Sequence, residues 1–421
     1  TQMLVRSTPE GARDYIVPSR VHPGKFYALP QSPQLYKQIL MIAGFDRYFQ
    51  FARCLRDEDL RQDRQPEHTQ IDIEVSFADV PELLDIYEGL IKAIFKEAGG
   101  FSLKEKFLVL DYEESMQRYG TDKPDLRFEL ELTDVSELAA SSDFEVFKKV
   151  VEQNGIVKCI APEKELSRNE IDAYIKFCQE HGAQGMAWMK VTKDSLESNI
   201  AKFFTKELQQ HLIKKTKAKA GSILMFVAGK PGMVNDVLSK LRNKLGRDLG
   251  LIKEQEFKFC WIVNFPLFEW NEDGHRWDAM HHMFCQPVEE DIKHLESDPS
   301  SVKCTQYDLV LNGTELGSGS IRIDNPELQE RVMKVIGITH EQAQKKFGFL
   351  LEAYKYGAPK HGGIGLGFER IVAMMLGFND IREVIAFPKN KAAECPMDSS
   401  PNEVDEKQLR ELHIKPDFIK K

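Results

Sequence analysis

Tyr307–Ile323 reads YDLVLNGTELGSGSIRI. Two runs of strand-forming residues meet at Asn312-Gly313, and Asn-Gly between alternating runs is the strongest short-range hairpin signal. Strands joined by a hairpin pair antiparallel. The stretch therefore points to an α+β protein, an antiparallel sheet flanked by helices, and away from a doubly wound parallel sheet. With a two-residue loop, Leu311 faces Thr314 and Val310 faces Glu315, which leaves Asp308 diagonal to Glu315 on one face. Diagonal neighbours lie about 7–8 Å apart. The two carboxylates can converge on one Mg2+ beside water and phosphate oxygens, or they stand on a solvated sheet face.

Outward from the hairpin, further strands and helices are legible. CWIVNFPLF (260–268) precedes it as strand pattern, and GGIGLGFER (362–370) follows, leading into the apolar helix IVAMML. The glycine run is neither G-x-x-x-x-G-K-[ST] nor G-x-G-x-x-G. Its glycines admit a flat ligand to the backbone beside Arg370, or they permit tight helix–sheet packing. Upstream, YFQFARCLR (48–56) reads as extended. TQIDIEVSF (69–77) alternates, with Ile71, Ile73, Val75 and Phe77 on one face and Asp72, Glu74 and Ser76 on the other. Between them RDEDLRQDRQ (56–65) is a loop dense in both charges, either a phosphate clamp built on Arg56 or a solvated hairpin tip. Helices are expected over Pro33–Met41 and Pro81–Ala98. Adjacent His281 and His282 point apart, and no third ligand stands at a zinc spacing.

At 421 residues the chain is long enough for two or three domains, and 42% hydrophobic residues supply a core. The net charge of −9 excludes a protein held to nucleic acid by bulk charge. A mean hydropathy of −0.40 fits a soluble protein without membrane spans. Seven scattered cysteines without a C-x-x-C pair indicate neither a disulfide framework nor a zinc ribbon, and point to a reducing compartment. The opening Thr1-Gln2-Met3 suggests a fragment or processed chain. Between 124 and 253 the texture changes, with strand-like MAWMKV and SILMFVAG among amphipathic helices and the lysines 202, 206, 214, 215, 217 and 219. The block reads as an inserted domain, and its lysine cluster as a solvated face. The expected organisation is 1–123 and 254–390 for the two parts of a core, 124–253 for the insert, and 391–421 for a C-terminal extension.

These pieces together resemble the class II aminoacyl-tRNA synthetases. FARCLRDEDLRQDRQPEHTQIDIE (51–74) is similar to motif 2 of that class, and GIGLGFER (363–370) to motif 3. TPEGARDY, LPQSPQLYKQ, AMHH and the Asp308/Glu315/Arg322 strand resemble, more narrowly, the aspartyl-tRNA synthetases of the bacterial and organellar type. TDKPDLR and the block after it resemble that type's inserted GAD domain. The resemblance runs from about Met3 to Lys389. It departs in motif 1, present only as its tail, and in the absent N-terminal anticodon-binding domain. His68 stands where a phenylalanine usually stacks on adenine, and Phe368-Glu369-Arg370 replaces the usual Leu-Asp-Arg.

The resemblance implies ATP-dependent activation of L-aspartate and its transfer to tRNA(Asp), with tRNA(Asn) left open. It implies a homodimer, with no membrane attachment, in the cytoplasm or an organellar matrix. By the same resemblance, Glu10, Gln34, Lys37, Arg56, Asp72, His281 and Arg322 would bind aspartate. ATP would meet Arg56, Asp57, Glu58, Gln65, His68, Glu315, Gly367, Phe368, Glu369 and Arg370, with Mg2+ on Asp308 and Glu315. If His68 stacks on adenine, its protonation below about pH 6.5 should weaken ATP binding. Strand parity puts Arg322 on the face opposite Glu315, so a bulge is expected at Gly317–Ser320 to bring both to one site. Two alternatives remain at this level: a tRNA-independent aspartate-activating paralogue like asparagine synthetase A, and an inactive regulatory paralogue.

Overall fold

The computed structural model describes residues 1–8, 12–60, 63–193, 195–253 and 255–417. The chain forms two compact units. The first is built from Thr1–Glu105, Asn264–Asp308 and Leu316–Lys421, the second from Lys106–Val263 and Leu309–Glu315. The stretch 124–253 falls inside the second.

The sheet of the first unit places Arg47–Leu55, Glu67–Ser76, His361–Gly367 and Thr314–Ile321 side by side in that order. All three pairings are antiparallel. The register sets one polar row across the strands. Asp72 faces Gly365, which faces Ser318; Glu74 faces Gly363, which faces Ser320. The opposite face is apolar, with Ile71, Val75, Ile364 and Leu366 buried. The helix Val80–Gly99 lies against that face. Asp79 and Glu82 form a reciprocal capping box at its start, and Gly100 closes it at φ 73°. A Cβ on Gly362 would come within 2.7 Å of Leu83 on this helix. Gly362 thus serves helix–sheet packing.

Two expectations need correction here. The strand from Glu67 ends at Ser76, and Phe77 turns out of it at φ 61°, 75% exposed. The bulge at Gly317–Ser320 is absent from the edge facing the glycine strand, because Gly317–Ile321 pairs one-to-one with Gly362–Leu366. Arg322 follows Ser318 and Ser320 on the polar face, and Gln306 Nε2 bonds both Asp308 and Ser318, so Asp308 shares that face.

The second unit carries a five-stranded antiparallel sheet ordered Leu132–Asp134, Ile156–Ile160, Ile223–Gly229, Ala187–Val191 and Leu196–Glu197. Helix Pro231–Asp248 buries Val234, Val237, Leu238, Leu241 and Leu245 in one core with Ile171, Tyr174 and Cys178 of Arg168–Glu180. Phe147, Leu212 and Phe226 belong to a second core. Leu108–Asp111 and Phe259–Val263 pair in parallel, the one parallel pair among the described registers. Asn312 and Gly313 both have positive φ, 51° and 85°, as a two-residue hairpin loop requires. The Asn312 side chain accepts from Lys258 N at 2.9 Å and donates to Glu256 O at 2.8 Å.

Candidate active site

The polar row of the first unit gathers four buried charges. Lys37, from the helix Gln34–Ile42, places its ammonium 2.8 Å from Asp72 and 3.0 Å from Glu74. Arg322 grips Glu74 with two parallel bonds, Nε to Oε1 at 2.9 Å and Nη2 to Oε2 at 3.2 Å. All four side chains are nearly inaccessible. Burial raises the Asp72 carboxyl, and Lys37 only partly offsets it. Burial also acts against the Glu74 charge, but Arg322 and Lys37 outweigh it and hold the group at about 2. Two cations therefore face two carboxylates, and water is excluded.

The other donors of Arg322 are engaged as well. Nη2 reaches the Gly363 carbonyl at 3.2 Å, and Nη1 reaches Ser320 Oγ at 2.8 Å and His282 Nε2 at 3.0 Å. Burial, and then the neighbouring Arg322, push His282 well below its ordinary value. The ring is neutral, and its Nδ1 faces the Phe284 N–H at 3.2 Å as Nε2 faces Arg322; a neutral imidazole can accept at only one of the two. His281 turns elsewhere: Nε2 lies 3.6 Å from Asp308, and the ring meets Phe265 edge-on at 4.8 Å. Gly363 makes this closeness possible, since a Cβ there would stand 1.9 Å from Glu74 Oε2 and 2.1 Å from the Ile73 carbonyl. The glycine run thus serves helix–sheet packing at Gly362 and the close approach of Glu74 at Gly363. Gln34 adds a buried amide nitrogen without a hydrogen-bond partner among the described residues.

A second group lies at the open end of the first two strands. Cys54 pairs with His68, and Arg56 follows just past the strand end with its Nε buried and unbonded among the described residues. Burial, then the charges of Arg56, Arg370 and Arg53, hold His68 down at about 3. This runs against the expected titration of His68 near pH 6.5: burial first, and then three guanidinium groups, disfavour the charged ring. Glu369, first turn of the helix Phe368–Leu376, accepts the Thr69 N–H on both oxygens at 2.9 and 3.0 Å. Arg370 reaches Asp63, Arg64 pairs with Glu58 at 3.0 Å, and Arg13 with Asp57 at 3.3 Å. Gln65 exchanges bonds with the backbone of Lys389. Phe368 meets Phe51 edge-on at 6.2 Å.

Comparison with known proteins adds the deciding observation. Residues 1–391 match the family of tRNA synthetases class II (D, K and N). The chain belongs to the class II tRNA synthetases. It is 54% identical to the aspartate–tRNA(Asp/Asn) ligase of Aquifex aeolicus over 428 aligned positions, covering 99% of this chain and 71% of that one. It is 51% identical to the aspartate–tRNA ligase of Ruminiclostridium cellulolyticum, covering 98% and 70%. The aspartate–tRNA(Asp/Asn) ligase of Treponema denticola is 52% identical, over 98% and 71%.

Within this class II chain, the named residues fall into separate places. Gln34, Lys37, Asp72, His281, Arg322 and Asp308 belong to the first unit, as do Arg56, Asp57, Glu58, Gln65, His68, Gly367, Phe368, Glu369 and Arg370. Glu315 belongs to the second, where Lys123 holds it at 3.0 Å. Glu10 lies outside the described residues. Asp308 Oδ2 is buried with no hydrogen bond inside 3.5 Å among the described residues, its neighbour His281 Nε2 standing at 3.6 Å; such an oxygen suits a hard cation. No group of three or more metal-ligating side chains occurs among the described residues. Glu74, His282, Ser320 and Gln306 escaped the sequence reading. Alternation alone puts Glu74 beside Asp72, so that signal was present; the contact of His282 with Arg322, 40 positions away, had none. No described helix is long and apolar enough to cross a membrane.

Proposed function

We propose that this chain activates L-aspartate with ATP and transfers it to tRNA(Asp), with tRNA(Asn) as a second acceptor. The observation that carries the reading is the buried Lys37–Asp72–Glu74–Arg322 cluster on one face of the sheet, in a chain whose relatives are named aspartate–tRNA ligases. These relatives favour a tRNA ligase over a tRNA-independent or inactive paralogue.

In the first step the aspartate α-carboxylate attacks the α-phosphorus of ATP, giving aspartyl-adenylate and pyrophosphate. In the second a terminal ribose hydroxyl of the tRNA attacks the activated carbonyl and releases AMP. The reaction asks the protein mainly for positioning and charge neutralisation. Lys37 and Arg322 receive the side-chain carboxylate, while Asp72 and Gln34 face the substrate ammonium with Glu10. Since every donor of Arg322 is engaged, the incoming carboxylate must displace one acceptor, and neutral His282 is the one held most cheaply. Asparagine repeats this exchange poorly, because its amide offers one acceptor oxygen where the carboxylate offers two and turns NH2 donors toward the donors of Arg322 and Lys37; such mismatches give discrimination of order 10⁴ or more. Arg56 meets the α-phosphate and the α-carboxylate, Arg370 the γ-phosphate, and His68 stacks on adenine. Asp57, Glu58, Gln65 and the segment Gly367–Glu369 border the nucleotide. Asp308 fits Mg2+ by its donor chemistry, and the ion would supply charge neutralisation to the phosphates.

Aspartate-dependent ATP–pyrophosphate exchange tests the first step, and charging of added tRNA transcripts tests the second. Exchange with aspartate but not asparagine is expected. Equal exchange with both amino acids would refute the pocket assignment, and absence of charging would refute the tRNA ligase.

A further inference from the structure

The second unit carries a charge pattern that aspartate chemistry leaves unused. The chain as a whole stands at −9, yet from Ser198 to Ser222 six lysines face one acid, Glu207. Folding puts them on one surface. The helix Lys206–Thr216, started by Thr205 accepting the Leu208 N–H, buries Leu212. Leu208 and Ile213 pack against the same core, and this fixes which side faces out. At about 100° per residue, Lys206, Lys214 and Lys215 stand at about 0°, 80° and 180° around the helix and so span its exposed side. Lys217 extends the surface past the C-terminal end, and Lys202 precedes the helix. All are exposed. Lys219 pairs with Glu163 at 2.7 Å. Lys202, Lys206, Lys214, Lys215 and Lys217 make no ion pair among the described residues.

Lys217 supplies an independent sign. It closes the helix at φ 53°, the left-handed conformation usually given to glycine. A side chain there costs about 1–2 kcal/mol. The position thus carries a charge at the expense of stability, in a group that already repels itself. Such a surface needs an extended polyanion. Lysine, a mobile point charge rather than a planar fork, suits phosphates whose spacing it need not read.

We propose that this lysine face docks the sugar–phosphate backbone of the tRNA, supplying affinity without base recognition; the partner's identity rests on the reading under Proposed function. The test uses the full chain with Lys206→Ala, Lys214→Ala, Lys215→Ala and Lys217→Gly combined, beside a variant with arginine at all four positions. Binding of an unmodified tRNA(Asp) transcript is measured against salt concentration. Each phosphate contact contributes about 0.7–0.9 to the slope of log affinity on log salt. The neutral variant should lose about 3 from that slope and bind tenfold or more weakly near 0.1 M salt; the arginine variant should keep both. Pyrophosphate exchange should stay as in the parent, and the unfolding midpoint of the neutral variant should not fall. An unchanged slope overturns the proposal, and so does a lowered midpoint in the neutral variant, which would make the lysines structural. If the parent shows no aspartate-dependent exchange while the slope still falls, the surface stands and the aspartate reading fails.

Discussion

Glu74 neutralises two cations at once, so its replacement is the sharpest single-residue test. Glu74→Gln keeps the shape and leaves Arg322 and Lys37 short of a counter-charge where no water reaches. Breaking a buried pair from one side costs about 3–5 kcal/mol, and urea unfolding should show a loss of that size. A loss below about 1 kcal/mol would mean that the cluster is hydrated. Lys37→Met and Arg322→Leu should each lower kcat/KM for aspartate by about thirtyfold or more, since truncating one partner of a buried charge pair costs about 2–5 kcal/mol. Near-native activation by either variant would remove that residue from the pocket. His68 makes a different prediction. Held at about 3, it stays neutral throughout the assay range. The KM for ATP of the parent and of His68→Phe should therefore run parallel from pH 5.5 to 8. An acid-side rise confined to the parent would show that the ring titrates.

At the scale of elements, the glycine strand His361–Gly367 separates a steric requirement from a mere vacancy. A Cβ on Gly363 meets a carboxylate oxygen and a carbonyl inside 2.2 Å, whereas one on Gly365 meets only the Gln70 side chain, at 3.2–3.3 Å. Gly363→Ala should cost more than the 1–3 kcal/mol usual for overpacking, roughly, and abolish pyrophosphate exchange. Gly365→Ala should be mild because Gln70 can swing aside. Equal thermal midpoints for the two variants would contradict the register. The strands themselves were legible: alternation from Thr69 and the Asn312-Gly313 turn each carry their own periodicity. The parallel pair of Leu108–Asp111 with Phe259–Val263 was not, because CWIV is a continuous apolar run without a face. Nor was the side that Lys37 takes. Helix periodicity marks a buried stripe, and Lys37 is buried for its charge partners rather than for apolarity.

At the scale of the whole molecule, all seven cysteines are free and buried. A thiol reagent should titrate almost none in the native protein and seven in denaturant, with the rate following global unfolding. Rapid native modification of several would show that the cores open locally. Protons report the same transition. His68 and His282 are held below their ordinary value, so below pH 6.5 the unfolded chain binds protons there that the fold refuses. Stability from these rings is present above pH 6.5 and declines as the pH falls toward their folded values. At pH 5 unfolding should take up about two protons through them, measurable by calorimetry in buffers of different ionisation enthalpy. Uptake unaffected by replacing both rings would refute their neutrality.

The pairing of Glu74 with Arg322 also sets a timetable for biosynthesis. The partners lie 248 residues apart in the chain, and the glycine strand that sits between their strands is translated later still. At about 5–20 residues per second, a ribosome needs roughly 12–50 s to travel from one to the other. For that interval the nascent strands Arg47–Leu55 and Glu67–Ser76 hold Asp72 and Glu74 without the guanidinium, and their apolar face lacks its central neighbour. The intervening Lys106–Val263 is nearly all of the second unit and emerges first as a complete sequence. A chain stalled before Arg322 would therefore hold the sequence of the second unit while the partner of Glu74 is still unmade.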